Sequence, residues 1–120
     1  MSQITVLVVD DNRFARTMVS SIIQSAHPDW NIIIAEHGDD ALEKAKDLSF
    51  NWMFLDYNMP GMNGLDLAEK LRDNHKGARI CLLTANIQST IQERADSLGV
   101  QFLSKPIQEK NILSVIDKAA

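Results

Sequence analysis

Residues 4–11 read Ile4-Thr5-Val6-Leu7-Val8-Val9-Asp10-Asp11, a nearly continuous apolar run that ends on two acidic residues. Four more short apolar runs follow along the chain: Ile32–Ala35, Trp52–Leu55, Ile80–Leu83 and Val100–Leu103. Strands that are covered on both faces have continuous apolar sequences of this kind, whereas strands with one wet face alternate. The five runs therefore predict the strands of a parallel sheet, the first over Ile4–Val9.

The segments between these runs have the spacing of amphipathic helices. Asn12 is placed to cap the first of them, and Pro28, Gly77 and Gly99 stand where the first, third and fourth helices should end. The order is strand then helix, five times over, which specifies an α/β fold with right-handed crossovers. The simplest topology is a doubly wound five-stranded sheet with strand order 2-1-3-4-5.

Composition favours one globular domain, which we assign to residues 1–120. Hydrophobic residues make up 45% and charged residues 23% of the chain, which argues against disorder. A formal net charge of −4 gives no support to nucleic acid as the primary ligand, because neutralising phosphates needs a basic surface. The single cysteine, Cys81, excludes an intramolecular disulfide framework and lies in an apolar run, so we expect it to be buried.

No apolar run approaches the ~20 residues of a membrane helix, and the N-terminus lacks a signal-peptide pattern, so a cytoplasmic protein is expected.

Polar residues stand at the carboxyl ends of four of the five predicted strands. Asp10 and Asp11 close the first strand, Asp56 closes the third, Thr84 closes the fourth, and Lys105 follows the fifth. In open α/β sheets, ligands bind outside this edge, at the point where the strand order reverses. With the order 2-1-3-4-5, that point lies between the first and third strands, beside Asp11 and Asp56.

Three carboxylates and a lysine at one edge suit a metal ion and a phosphoryl group. Clustered carboxylates repel one another unless a cation lies among them, and ligands that are all oxygen favour a hard ion such as Mg²⁺. A lysine and a threonine hydroxyl can donate to phosphoryl oxygens. An aspartate can also act as a nucleophile and form an aspartyl-phosphate, and Asp56 is the candidate because it stands alone at its strand end.

Taken singly, each of these residues has a simpler explanation. Asp10 and Asp11 could be solvated turn residues or could cap the first helix. Thr84 could be a strand residue with a local hydrogen bond, Lys105 an ordinary surface lysine, and Phe102 a side chain of the core. The combination of all of them at one edge favours the phosphoryl and metal site.

Four motifs, each at its own strand end, resemble the receiver domains of two-component response regulators. They are Val9-Asp10-Asp11, the stretch from Leu55 to Gly64 that reads Leu-Asp-Tyr-Asn-Met-Pro-Gly-Met-Asn-Gly, Leu83-Thr84-Ala85, and Ser104-Lys105-Pro106. The resemblance runs from residue 4 to about residue 118 and is to the single-domain, CheY-like type of chemotaxis, which has a flavodoxin-like fold. Family members commonly hold the Lys-Pro bond in the cis form, so Lys105-Pro106 is expected to be cis.

The resemblance implies a role for each residue of the motifs. Asp56 would accept a phosphoryl group from a bacterial histidine kinase. Asp11, Asp56 and the backbone carbonyl of Asn58 would bind Mg²⁺ directly, and Asp10 would act mostly through water. Lys105 would contact the phosphoryl oxygens.

The resemblance also implies a conformational switch. Thr84 would contact the phosphoryl group and move toward it, and Phe102 would turn inward behind it. The surface formed by the fourth helix, the fifth strand and the fifth helix would change and bind a downstream protein, such as a motor, a kinase or a phosphotransfer protein. Many family members carry tyrosine where this chain has Phe102. Asn58 and Asn86 occupy positions that tune hydrolysis in the family, and neither amide can act as a base.

The function predicted is a phosphorylation-dependent signalling switch that catalyses only its own phosphotransfer and autodephosphorylation. One alternative is an interaction module that works without phosphorylation. A second is a haloacid-dehalogenase-type phosphatase, but that family needs an aspartate two positions after its nucleophile, where this chain has Asn58. The turn after the first strand contains no glycine-rich phosphate loop, so nucleotide binding is not expected.

Overall fold

The computed structural model describes residues 3–85 and 88–118, and Asn86 lies outside the described residues. Five strands alternate with five helices along the chain. The strands are β1 (Thr5–Val9), β2 (Asn31–Ala35), β3 (Trp52–Asp56), β4 (Arg79–Thr84) and β5 (Gln101–Ser104). The helices are α1 (Arg13–Ala26), α2 (Gly38–Ala45), α3 (Gly64–Asn74), α4 (Ser89–Leu98) and α5 (Glu109–Lys118).

The five strands form one parallel sheet with the order β2-β1-β3-β4-β5. This order confirms the predicted topology, including β2 as an edge strand. The order reverses between β1 and β3, so the carboxyl ends of these two strands form the crevice in which such sheets bind ligands.

Side chains of successive strand residues pack into two separate cores on opposite faces of the sheet. Alternate residues of β1 contribute to one core together with α1 and α5, for example Val8 with Val19 and Ile112. The intervening residues of β1 pack with α2, α3 and α4, for example Leu7 with Leu67. Because helices cover both faces, the inner strands β1, β3 and β4 are buried on both sides, which explains their continuous apolar sequences.

Side-chain caps fix where two of the helices that border the crevice begin. The side chain of Asn12 accepts a hydrogen bond of 3.0 Å from the Ala15 N–H, which confirms the predicted cap of α1. Asn63 caps α3 in the same way, accepting from Asp66 N–H at 2.9 Å. Both caps lie in loops that follow a strand, so they fix the loops that border the crevice.

Two further expectations concern Cys81 and the membrane. Cys81 is buried in β4, as predicted, and burial raises the pKa of its thiol to about 12. Among the described residues, no helix is long and apolar enough to cross a membrane.

Candidate functional site

Strand register brings the polar strand ends together. Val9 of β1 lies beside Leu55 of β3, so the residues that follow them, Asp10 and Asp56, are neighbours at the carboxyl edge. On the other side of β3, Thr84 of β4 pairs with Ser104 of β5, directly before Lys105. The sheet therefore places all four polar strand ends along one edge, as the sequence predicted.

An acidic cluster lies at this edge. Asp10, Asp11 and Asp56 each present a carboxylate oxygen, and these atoms all lie within 4.8 Å of one another. Asp10 and Asp56 are buried, whereas Asp11 is exposed. A set of oxygen ligands that is open to solvent on one side fits Mg²⁺, which binds carboxylates and keeps several waters. These residues therefore fit the metal that the sequence predicted.

Lys105, in the loop that follows the edge strand β5, extends its side chain to the acidic cluster. Its ammonium Nζ donates to Oδ1 of Asp56 at 2.7 Å and lies 3.4 Å from Oδ2 of Asp10. Its backbone N–H donates to the Thr84 carbonyl at 2.9 Å, and the Lys105-Pro106 bond is cis, as expected. Burial lowers the pKa of Lys105, but the hydrogen bond to Asp56 and the charges of Asp10 and Asp56 outweigh it, so the pKa is raised. Lys105 is therefore a firmly charged cation beside Asp56.

The pKa of Asp56 is raised from 3.8 to about 6. Burial is the largest cause, because it removes water from the charged carboxylate. The hydrogen bond and charge of Lys105 lower the pKa, while the charges of Asp10 and Asp11 raise it. At neutral pH the Asp56 carboxylate is still mostly ionised. Its oxygens are poorly hydrated and carry negative charge, so a cation in the cluster would stabilise them.

Asp10 is held at all four of its polar atoms. Its N–H donates to the Ala35 carbonyl at 3.2 Å, and its Oδ1 accepts from the Asn12 N–H at 2.9 Å. Its carbonyl accepts a 2.9 Å hydrogen bond from Nη1 of Arg16, and its Oδ2 faces Lys105. Four different segments of the chain therefore fix this residue.

Arg16, which is buried at 8% exposure, was not predicted from the sequence. The signal was present, because Arg16 lies one helical turn before Val19 on the buried face of α1. A charged residue on an apolar helix face implies a partner in the interior.

Gly64 ends one of the four sequence motifs, but its role was not predicted from the sequence. A Cβ atom built on Gly64 would overlap the carbonyl oxygen of Asp56 and would lie 2.7 Å from Cδ1 of Leu82. The Gly64 N–H also donates to the Tyr57 carbonyl at 3.0 Å. Only glycine allows α3 to begin this close to the backbone of Asp56.

The remaining predicted residues lie around this cluster. Thr84 is buried at the end of β4, and Asn58 is exposed in the loop two residues after Asp56. Phe102 is half-buried in β5 and packs against the core on the α2–α3–α4 face.

Comparison with known sequences gives a family. A sequence model of the response regulator receiver domain matches residues 6–117. The chain is 31% identical, over an alignment of 122 positions, to the nitrate/nitrite response regulator protein NarL of Escherichia coli, covering 97% of this chain and 54% of NarL. It is 30% identical over 116 positions to the chemotaxis protein CheY of Listeria monocytogenes, covering 95% of this chain and 96% of CheY. The chain thus spans about half the length of NarL and almost the full length of CheY.

A solved structure agrees with the sequence match. The response regulator protein TrrA of Thermotoga maritima, solved in complex with Mg²⁺ and BeF, superposes with a TM-score of 0.85 at 27% identity, covering 98% of this chain and all of TrrA. The cluster of Asp10, Asp11 and Asp56 fits the Mg²⁺ site of a receiver domain. The chain belongs to the response regulator receiver domain family of two-component systems.

Proposed function

We propose that residues 1–120 form one receiver domain that acts as a phosphorylation-dependent switch, with Asp56 as the phosphoacceptor and a histidine kinase as the donor. The observation that supports this most is the convergence on Asp56. Its buried carboxylate stands 2.7 Å from the ammonium of Lys105 and within 4.8 Å of two further carboxylates. A buried aspartate needs one partner such as Lys105 for its charge, but two further carboxylates beside it are unfavourable unless a cation lies among the three. An aspartate that gains a phosphoryl group needs such cations around it.

In the proposed reaction a carboxylate oxygen of Asp56 attacks the phosphorus atom of a phosphohistidine. A P–O bond forms, the P–N bond breaks, and its electron pair returns to the imidazole nitrogen. Asp10, Asp11, Asp56 and the carbonyl of Asn58 would hold Mg²⁺, which when bound neutralises charge on the transferring phosphoryl oxygens. Hydrolysis of the aspartyl-phosphate would later release inorganic phosphate and restore the carboxylate.

Lys105 and Thr84 would hold the product. On phosphorylation the Asp56 oxygen that accepts from Lys105 becomes part of an acyl phosphate, and the ammonium is already placed to donate to the new phosphoryl oxygens. The hydroxyl of Thr84, at the end of the next strand, would donate to another of them. Lys105 already pairs with the Asp56 carboxylate and would remain a charge partner after transfer. The contact of Thr84 would form only with the phosphoryl group, so it would favour the phosphorylated state.

The switch would pass through Thr84 to Phe102. Lys105 is joined to Thr84 by its backbone hydrogen bond, and Phe102 lies in β5, three residues before Lys105. A half-buried ring has room to pack more deeply when Thr84 shifts, which would change the surface of α4, β5 and α5. This surface would bind a downstream protein through packing, because phenylalanine has no hydroxyl to donate.

Intact-mass spectrometry after incubation with acetyl phosphate and Mg²⁺ tests the acceptor. We expect the mass of one phosphoryl group on the wild type, and none on Asp56→Asn or with a chelator. Asp73→Asn, an exposed aspartate on α3, is the matched control and should be phosphorylated normally. Phosphorylation of Asp56→Asn, or of the wild type without divalent metal, would contradict the assignment.

A further inference from the structure

Arg16 is a buried cation, and burying a charge costs free energy because the charge loses its hydration. The guanidinium lies in the interior on α1, yet among the described residues its only carboxylate partner is Glu36, whose oxygen is 3.7 Å away on a side chain that is 69% exposed. Within residues 3–85 and 88–118, Nε of Arg16 is buried and has no hydrogen-bond partner. A long, solvent-exposed ion pair repays little of the desolvation of a buried charge. Stability alone is therefore a poor reason for an arginine here.

Within the described part of the chain, the one short hydrogen bond of this guanidinium goes to the backbone of the acidic cluster. Nη1 donates to the carbonyl oxygen of Asp10 at 2.9 Å. That carbonyl belongs to the peptide unit that joins Asp10 to Asp11. Because a peptide unit is planar, fixing its oxygen also fixes the direction in which the chain enters Asp11.

Among the described residues, the other bonds of Asp10 do not reach this carbonyl oxygen, although the bond from the Asn12 N–H to Oδ1 closes an Asx turn that contains the same peptide unit. Ala35 accepts from the N–H of Asp10, which belongs to the preceding peptide unit, and Asn12 and Lys105 bind the side chain. Asp11 itself is exposed and follows directly. Arg16 thus holds the carbonyl oxygen of the peptide that joins the buried and the exposed carboxylates, in addition to the turn that Asn12 closes.

We propose that Arg16 is a positioning residue for the divalent-cation site: it holds the Asp10–Asp11 peptide so that both carboxylates face Asp56. The inference rests on the proposed function, since it assigns Arg16 a role in building that site. Arg16 touches neither the cation nor the phosphoryl group and acts through the backbone of Asp10.

Charge and geometry predict opposite effects when Arg16 is removed. Loss of a positive charge near three carboxylates should strengthen the binding of a cation, because one repulsion is gone. Loss of the hydrogen bond should weaken binding, because the carboxylates are no longer held in place; outer-shell partners of metal ligands commonly contribute about tenfold or more in affinity. An increase or a decrease in cation affinity therefore distinguishes the effect of the lost hydrogen bond from the effect of the lost charge.

The test measures the dissociation constant of Mg²⁺ by isothermal titration calorimetry on the full chain, for wild type, Arg16→Met, Arg16→Lys and Arg13→Met. Arg13 lies on the same helix but is exposed, so its variant removes the same charge without the bond. We expect Arg16→Met to raise the dissociation constant about tenfold and Arg13→Met to leave it equal or slightly lower. Arg16→Lys, which keeps the charge and one donor without the planar fork, should fall between wild type and Arg16→Met.

A second readout separates positioning from folding. At Mg²⁺ concentrations that saturate each protein, phosphorylation of Arg16→Met by acetyl phosphate should come within about threefold of wild type, because the reacting groups are intact.

Arg16→Met that melts at a lower temperature but binds Mg²⁺ as tightly as wild type would overturn the inference and leave Arg16 a structural residue. If Arg16→Met does not fold, Arg16→Lys decides, and an unchanged dissociation constant there overturns the inference. A wild type that binds no Mg²⁺ would instead overturn the proposed function itself.

Discussion

β3 and β5 both end at the functional edge of the sheet, but their surroundings differ sharply. Every residue of β3, from Trp52 to Asp56, is buried, whereas none of the four residues of β5 is buried. β3 is central and carries the proposed acceptor, and β5 is an edge strand that carries Phe102. In the proposed function, the phosphorylation chemistry therefore lies on β3, whose residues are all buried, and the conformational response lies on β5, which has no buried residue.

The same contrast extends to the flanking helices. α3 begins in close contact with the backbone of Asp56 through Gly64 and buries five of its residues. α4 buries two residues, Ile91 and Ala95. Exposed segments with few buried apolar contacts open at lower free energy than the core. The β3–α3 region and the α4–β5 region should therefore respond differently to substitution.

The largest loss of stability is expected for Gly64→Ala, a substitution in the buried β3–α3 region. The new Cβ would overlap the Asp56 carbonyl oxygen, and that backbone atom has no room to move in the central strand. We expect the free energy of unfolding to fall by about 3 kcal/mol, the upper end for overpacking, and phosphorylation of Asp56 to be lost or strongly slowed. Urea denaturation and intact mass measure the two effects. Gly77→Ala, where an added Cβ meets no atom within 4 Å, is the control and should be close to neutral.

Asp56→Asn should stabilise the metal-free protein at pH 7. The pKa of Asp56 in the folded state, about 6, lies above its ordinary value of 3.8, so the folded state holds the proton more tightly. The stability that Asp56 contributes is therefore complete below about pH 4 and is lost as the pH rises through 6. Removing the charge should recover ~1–3 kcal/mol at neutral pH, the span of a shift of this size less the lost bond to Lys105.

Urea denaturation of wild type and Asp56→Asn in a chelator, at pH 7 and pH 4, measures this difference. The advantage of the variant should be present at pH 7 and absent at pH 4. A variant that is less stable than wild type at pH 7 would mean that the bond to Lys105 outweighs the burial of the carboxylate.

A smaller effect is expected in the α4–β5 region. Arg94 of α4 reaches α3, where Nη2 lies 2.8 Å from Asp66 and 3.1 Å from Glu69. These groups are largely exposed, so Arg94→Gln should lower the free energy of unfolding by less than about 1 kcal/mol. Hydrogen exchange should nevertheless increase in α4 and remain unchanged in β3.

The matched control is Lys46→Gln, which breaks a similar surface pair with Glu43 at 2.9 Å near α2. It should leave the exchange of α4 unchanged. Faster exchange in β3 after Arg94→Gln would show that the two regions are not independent.

The fold and the members of the acidic cluster were predictable from the sequence for one physical reason. A parallel sheet with both faces covered imposes continuous apolar strands, and its carboxyl ends meet at one edge, so Asp10, Asp56 and Lys105 converge once the strand order is right. The order itself was predicted as the simplest topology, in which β2, whose end carries no residue of the predicted site, lies at the edge of the sheet.

Arg16 and Gly64 were not predicted because their roles depend on contacts between specific atoms. Arg16 depends on how far a flexible side chain reaches toward the Asp10 carbonyl, and Gly64 on the distance between α3 and the Asp56 backbone. The raised pKa of Asp56 likewise depends on the depth of burial. Periodicity places residues on a face of an element but does not give distances across the space between elements.

Hydrogen–deuterium exchange of the full chain with and without beryllofluoride and Mg²⁺ tests the central claim most directly, because beryllofluoride mimics a phosphoryl group on Asp56. We predict altered exchange in α4, β5 and α5, little change in β1 and β3, and no change in Asp56→Asn. Equal exchange with and without beryllofluoride throughout the wild type would contradict the proposed switch, and so would a change that persists in Asp56→Asn.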